Sequence, residues 1–278
     1  MKKVIYTCIT GKYDTLIEPD VITEGFDYIC FTDNKELKSG SWEIRLLEGD
    51  NELSNVKKQR HIKICPHEFL KEYDLSIWVD GNVRVKGDMN KYIDAYCSTN
   101  LDVYIPYHPC RDCIYEEMKT CQSINKDTIE NMQPQIDRYK SEEYPKHYGL
   151  VQSNIIIRRH NRTGCIKLMN DWWNEVKNGS HRDQLSFNYA LWKNPKSKFQ
   201  YLGFKTCNSE YFKWEMFHRG KNKTAPIQQQ EVSTSVDNIG IREANEKLGD
   251  MKYLLNNLNK ISAERERKKK KLISFYRR

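Results

Sequence analysis

Asp74-Leu75-Ser76-Ile77-Trp78-Val79-Asp80-Gly81-Asn82 reads as a largely apolar strand that stops abruptly on a carboxylate, a glycine and an amide. Near-continuous apolar strands belong to sheets buried on both faces. Upstream, Asn55 to Tyr73 carries apolar points at Val56, Ile62, Phe69 and Leu70 and reads as a helix that Pro66 kinks or divides. Three strand-like runs precede it: Lys3 to Thr10, ending at Gly11; Asp27 to Thr32, ending in Asp33-Asn34; and the alternating Trp42 to Leu47. Strands and helices in alternation, opening with a strand, predict an α/β fold with a mostly parallel sheet covered on both faces.

Downstream, the pattern predicts helices over 88–97, 113–124, 126–141, 163–176 and 182–192, with Pro134 inside the third. It predicts strands over 101–106, 151–158 and 199–204, and a loop-rich aromatic segment over 209–224. From Ser233 the composition turns polar. Ile241, Leu248, Met251, Leu255, Leu258 and Ile261 then fall at helical spacing. The organisation expected is a domain over 1–232 followed by an amphipathic C-terminal helix and basic tail over 233–278. The stripe spans about three heptads, too few for a secure coiled coil, so packing back on the domain is expected.

The 278 residues are 38% apolar and 12% aromatic, enough for one substantial core. The net charge of +8 is lopsided: the last fourteen residues hold eight Lys/Arg and one Glu, which accounts for +7. A near-neutral body argues against a nucleic-acid-binding domain. The tail, with Leu272, Ile273, Phe275 and Tyr276 among its lysines and arginines, suits an anionic membrane surface or a disordered solubilising end. Nine scattered cysteines suggest reduced thiols in a cytosol. The opening residues lack the apolar run of a signal peptide, and no stretch approaches a membrane span. The expected location is cytoplasmic, with attachment at the inner face of the cell membrane as the option that the membrane reading of the tail adds.

In open α/β sheets, ligands sit beyond the carboxyl ends of the strands. That rule brings together the loop after the first strand (Thr10-Gly11-Lys12-Tyr13-Asp14), the end of the second (Thr32-Asp33-Asn34) and the end of the fourth (Asp80-Gly81-Asn82). A carboxylate and an amide two residues apart are ligands for a hard divalent cation, which neutralises a departing diphosphate. Asp-Gly-Asn is equally a good turn. His218-Arg219-Gly220-Lys221 supplies a distal metal ligand and a diphosphate lysine, or is a basic surface loop. Lys57, Arg60 and His61 fall within one helical turn and make either a phosphate-gripping face or a solvated one. Asp183 is a helix N-cap or an acceptor-side base. His108 and Arg111 are expected to face the cleft, with Glu116 and Glu117 opening a helix. One Cys-x-x-Cys, at Cys110 and Cys113, falls short of the paired knuckles of a structural zinc site.

Taken together, YTCITGKYD (6–14), YICFTDN (28–34), NVKKQRHIKICPHEFL (55–70), DLSIWVDGNV (74–83), HPCRDCIYEE (108–117), YGLVQSNIIIRRHN (148–161), WWNEV (172–176) and SHRDQLSF (180–187) resemble the plant turgor-defect and mucilage-related glycosyltransferase-like family. The resemblance spans residues 3 to 220. It implies a GT-A fold, a Rossmann-like mixed sheet with helices on both faces, akin to the glycogenin and galactosyltransferase group. By that analogy Asp80 and Asn82 take a metal, Mn2+ or Mg2+, and the diphosphate. Asp33 lies near the nucleoside, and Lys57 and Arg60 bind diphosphate or donor sugar. Asn154 faces the donor sugar, and Asp183 and Gln184 the sugar–acceptor region. His218 and Lys221 resemble a distal His-x-x-Gly-x-x-Lys segment whose His-to-Gly gap is one residue short here, while Lys223 matches its Gly-to-Lys gap. Asn82 replaces the second Asp of the Asp-x-Asp signature.

The implied function is transfer of a sugar from a nucleotide-sugar, UDP-linked by analogy, to a glycan or lipid-linked acceptor. Metal assistance and anomeric retention are expected, in bacterial surface polysaccharide synthesis. The alternative is a catalytically inactive partner of the same fold, which Asn82 favours. A nucleic-acid-associated role resting on the tail alone is disfavoured by the neutral body.

Overall fold

The computed structural model describes residues 1–47, 52–97 and 101–215. Its elements, in chain order, are β1 (Lys3–Ile9), β2 (Phe26–Thr32), β3 (Glu43–Leu46), α1 (Asn55–Ile64), α2 (Pro66–Phe69), β4 (Leu75–Val79), β5 (Val83–Val85), α3 (Met89–Tyr96) and β6 (Val103–Pro106). There follow α4 (Ile114–Ser123), α5 (Ile129–Ser141), β7 (Ile155–Arg158), α6 (Thr163–Asn178), α7 (Gln184–Lys193), β8 (Phe199–Leu202), a 3-10 turn (Phe204–Cys207) and β9 (Phe212–Trp214).

Seven strands form one sheet in the order β3-β2-β1-β4-β7-β6-β8. The β3-β2-β1-β4 half is parallel, β7 runs antiparallel to both β4 and β6, and β6 and β8 are parallel. Six of the seven strands run the same way and β7 alone is reversed, so the sheet is mostly parallel, as the alternation predicts, and mixed, as the resemblance implies. β1 shows how both faces are covered. Val4, Tyr6 and Cys8 enter a core that also holds Ile62, Leu168, Trp172 and Phe187, while Ile5 and Ile9 enter another with Met89, Tyr92 and Phe212. Alternate side chains of a strand point to opposite faces, so α1, α6 and α7 cover one face and α3 the other. A third core ties α4 to α5 and α7 through Met118, Met132, Ile136 and Leu185.

Pro66 divides the helix as expected: α1 ends at Ile64 and Pro66 opens α2, where its missing N–H costs nothing. Three expectations need correction. The strand expected over 151–158 begins at Ile155, and Val151 makes only an isolated bridge to Tyr107. The strand expected over 199–204 ends at Leu202. The expected loop over 209–224 contains β9, which pairs with β5 in a small antiparallel ribbon. These two strands are only three residues long, too short to show a period. No helix among the described residues is long and apolar enough to cross a membrane. The expected boundary at 232, the C-terminal helix and the basic tail lie outside the described residues.

Candidate active site

The strand order reverses at β1, with β2 on one side and β4 on the other. The crevice beyond the carboxyl ends of strands at such a point is where α/β sheets take ligands. Thr10 and Gly11 follow β1 there, Asp33 follows β2, Asp80 follows β4 and His108 follows β6. Because β7 runs the other way, the residue just before it, Asn154, reaches the same edge.

Asp80 extends the β4–β7 ladder, its N–H donating to the Asn154 carbonyl at 2.9 Å. Its side chain lies on the same strand face as Trp78, two residues back. The Trp78 indole, fully buried and edge-on to Tyr6, donates to Asp80 Oδ1 at 2.7 Å. The Lys63 ammonium reaches the same oxygen at 3.2 Å. Among the described residues none donates to Oδ2, and the side chain stays 28% exposed. The carboxylate is thus held from behind and open in front.

Lys63 links Asp80 to the other acid. Its ammonium lies 2.7 Å from Asp183 Oδ2, 3.2 Å from Asp80 Oδ1 and 3.2 Å from Ser153 Oγ, which matches its three donors. The Lys63 side chain is 1% exposed. Such a buried cation is tolerable only with this pairing. Asp183 caps α7, accepting from the Gln184 N–H at 3.1 Å on Oδ1, while Oδ2 also accepts from Ser153 Oγ at 2.9 Å. Arg60 Nε stands 3.7 Å away. Burial by itself would raise the Asp183 pKa, but Arg60, Lys63 and Arg182 outweigh it and hold the carboxyl far below the usual range. An acid so stabilised as an anion, with both oxygens engaged, is a poor base.

Tyr13, 39% exposed, stands where both signs of charge meet. Burial raises its phenol pKa first; Asp14 and Asp80 add to the rise, and Arg60 and Arg182 oppose it. Asp14 packs so closely on Gly81 that a Cβ there would sit 3.1 Å from its carboxylate oxygen. Asp14 therefore brings to the Asp80-Gly81-Asn82 turn the second negative charge that Asn82 lacks. Asn82 is buried and donates its amide nitrogen to the Glu215 carbonyl at 3.0 Å, a bond that fixes which way the amide is turned.

The other expected residues separate into scaffolding and outlying positions. Thr10 Oγ1 donates to the Asn55 carbonyl at 2.8 Å and ties the β1 loop to α1. Gly11 has φ +60, and a Cβ there would meet Asn55 Nδ2 at 2.6 Å, so any side chain would be strained and would displace Asn55. The Asp33 carboxylate accepts from the Gly11 N–H at 2.8 and 3.1 Å. Asn154 is 7% exposed; its Oδ1 takes the Cys207 thiol at 3.0 Å, and its buried Nδ2 has no hydrogen-bond partner among the described residues. Gln184 bridges Arg182 Nη2 at 2.7 Å and the Val151 carbonyl at 3.0 Å. His108 and Arg111 converge on the buried Glu117, with Arg111 Nε 2.6 Å from its carboxylate. Burial pushes the His108 pKa down to about 4, against the pull of Glu117 and with Arg111 and Arg182 adding to the fall. Lys57 turns away from Asp183: its ammonium donates to the Lys177 carbonyl at 2.8 Å and lines a separate cavity. His218, Lys221 and Lys223 lie outside the described residues.

Among the described residues, two other groups could hold a divalent ion: His61, Cys65 and Glu68, and Cys113, Glu116 and His147, each with ligand atoms within 4.8 Å of one another. Neither includes Asp80. His61 is stacked on Trp173 at 4.4 Å. Sequence reasoning missed Lys63 and Arg182, and placed Asp14 at this edge without giving it a role. Lys63 was within reach, since it follows Arg60 by three residues and so shares its helix face.

The family model described as "TOD1/MUCI70, glycosyltransferase-like domain" matches residues 1–218. "Probable hexosyltransferase MUCI70" of Arabidopsis thaliana is 22% identical over 200 residues, which cover 67% of this chain and 34% of the plant protein. The chain thus spans about a third of that curated relative's length. Among solved structures, the WbbM bifunctional glycosyltransferase aligns with a TM-score of 0.42 and 11% identity over 72% of this chain and 38% of its own. Mouse xyloside xylosyltransferase 1 aligns with a TM-score of 0.42 and 10% identity over 80% and 98%. With the family match running from the first residue through β9, the chain belongs to the TOD1/MUCI70 glycosyltransferase-like domain family.

Proposed function

We propose that the crevice beyond β1 and β4 binds a nucleotide-sugar, UDP-linked by analogy with the glycogenin group, and transfers its sugar to a glycan or lipid-linked acceptor. The observation that carries the reading is the meeting of two carboxylates, Asp14 and Asp80, with two guanidiniums, Arg60 and Arg182, around one exposed phenol. A diphosphate bridged by a cation calls for that mixture, since carboxylates gather the cation and guanidiniums take phosphate oxygens.

The donor set fits a hard divalent ion such as Mn2+ or Mg2+. Asp80 Oδ2 has no donor among the described residues, and the Asn82 amide donates through nitrogen, which leaves its oxygen to coordinate. Asp80, Asn82 and Asp14 would hold the ion, and His218 is a further candidate. Bound there, it would supply the positive charge that eases departure of the diphosphate. Lys63 fixes Asp80 and Asp183 relative to each other. Asp183 acts as a positioning residue for Lys63 and Arg60 rather than as a base. Arg60 and Arg182 bind the diphosphate, with Tyr13 closing the crevice over it. Asn154 offers its Nδ2, unpartnered among the described residues, to a donor-sugar hydroxyl. His108 and Arg111 face the acceptor side.

One observation favours a second reading, a catalytically inactive partner of the same fold: the Lys63 ammonium already meets part of the Asp80 charge. A thermal-shift panel of nucleotide-sugars with and without Mn2+ tests the proposal. One donor should stabilise the protein only with the metal, and Asp80→Ala should abolish the effect. Stabilisation without release of nucleotide would favour the inactive partner, and no response to any donor would remove nucleotide-sugar binding altogether.

A further inference from the structure

α5 and α6 face each other across a cavity of about 530 Å³ that the chemistry around Asp80 does not use. Helices that meet in a domain normally close such a gap with apolar side chains. Here the α5 wall carries Asn131, Gln135 and Arg138, at successive turns of one face, and the α6 wall carries Asn174, Glu175 and Asn178. Four of these six are amides or an amide-like array of paired donors and acceptors: Asn131, Gln135, Asn174 and Asn178.

The charges cancel. Lys57 and Arg138 bring two positive groups to the lining, and Glu130 and Glu175 two negative ones. They are also engaged: Arg138 Nη2 pairs with Glu175, which also accepts from the Tyr139 hydroxyl at 2.6 Å, and Lys57 is bonded to the Lys177 carbonyl. A phosphate or a free cation would need an unbalanced site. The polar lining equally ill suits an apolar ligand, which a pocket meets with aliphatic and aromatic walls. Pro134 adds one more acceptor. It lies inside α5 and has no N–H, so the Glu130 carbonyl loses the donor that the helix would otherwise give it, and both residues line the cavity.

The cavity also adjoins the crevice. Lys57 and Arg60 stand one turn apart on α1; the first lines the cavity and the second reaches Asp183. The loop from α6 to α7 is shared, since the Gln135 side chain accepts from the Ser180 N–H at 3.2 Å just before Asp183. Gly179 makes room for that contact, because a Cβ there would meet the Gln135 amide at 2.8 Å.

We infer that the α5–α6 cavity is a second carbohydrate site, which binds neutral sugar residues of a glycan at a distance from the transfer centre. It builds on the transferase reading, because an acceptor chain is what such a site would hold. Amide side chains and backbone carbonyls match the closely spaced hydroxyls of a sugar, each of which donates and accepts at once.

Ligand-observed NMR on the full chain tests this with cellotetraose, maltotetraose, mannotetraose, galactotetraose, xylotetraose and, as the charged comparison, tri-galacturonate. No donor or metal is added, so the result is independent of whether the protein transfers sugar. The expected result is saturation transfer to at least one neutral oligosaccharide, reduced at least five-fold in Asn174→Trp, which fills the cavity from an exposed rim position. If the tryptophan variant loses its native circular dichroism, Asn131→Ala with Asn178→Ala removes two amides without added bulk, and the same five-fold loss is expected. No binding by any neutral probe, preference for tri-galacturonate, or binding that persists in the folded variants would overturn the inference. The same neutral binding in Asp80→Ala would place the glycan away from the transfer centre, and its loss there would overturn the separate site.

Discussion

Lys57 and Lys63 stand on the same helix and meet opposite fates. Lys57 sits at the exposed start of α1 and its ammonium rests on a backbone carbonyl. Lys63 sits at the end, fully enclosed, and spans two carboxylates from different parts of the chain. Both are equally basic residues in a basic segment, and what separates them is water. An exposed ammonium keeps its hydration and gains little from a neighbour. A buried one must replace all of it with protein oxygens, and so it fixes the geometry of every group it touches. The difference teaches that a cationic helix face is not one functional unit: chemistry belongs to the end that the fold dries out.

The largest effect should follow from Lys63→Met, which leaves Asp80 and Asp183 without the cation between them. Loss of a buried partner costs roughly 3–5 kcal/mol, and the urea midpoint should fall accordingly. A change no larger than that of a surface substitution would mean that Lys63 is not the link. Asp183→Asn keeps the helix cap, since asparagine also caps, but removes the charge. Because the folded pKa of Asp183 is depressed, its contribution is present above its ordinary value of 3.8 and lost as pH falls through and below it. At pH 7 the variant should be less stable by about 2–3 kcal/mol, with the gap narrowing below pH 4. A gap that does not depend on pH would point to packing instead.

His108→Asn sharpens the comparison on the far side of the cleft. His108 is neutral when folded, with a pKa pushed from 6.5 to about 4. The unfolded chain therefore binds a proton that the folded one refuses between those values, and wild-type stability falls as pH drops from 6.5 toward 4. The asparagine should flatten that slope by on the order of 1–2 kcal/mol over the window. Asn Oδ1 can still accept the Cys110 and Arg111 N–H bonds that Nδ1 takes at 3.3 and 3.1 Å. The smallest effect is expected for Lys57→Ala, a change within about 0.5 kcal/mol. A loss approaching that of Lys63 would erase the distinction between the two lysines.

Most of the sheet was legible because its strands are long or apolar enough to carry their own signal. Leu75 to Val79 is buried at every position, and the run read from the sequence stops at the same carboxylate. β5 and β9 were not legible, because a ribbon of three residues a side is defined by its partner and not by its own pattern. In the candidate site, Asp80, Arg60 and Asp183 were named from residue type and position, and they stand close together in the structure. Asp14 was placed at the same sheet edge as Asp80, but its close packing on Gly81 depends on how the β1 loop folds, which no local spacing encodes. Lys63 shares a helix face with Arg60, three residues back, but the string around it does not say which cation turns inward. That Asn154 Nδ2 lacks a partner among the described residues is something only coordinates can reveal.

The most direct test of the account is nucleotide release from UDP-sugars, with Mn2+ present, by the wild type and by Asp80→Asn. The substitution keeps the shape of the side chain and its bond from Trp78 while it removes the charge. If that charge gathers the cation where the diphosphate departs, release should fall by about 10²–10³-fold, the usual cost of losing one such electrostatic group. Release by Asp80→Asn at the wild-type rate would contradict the account.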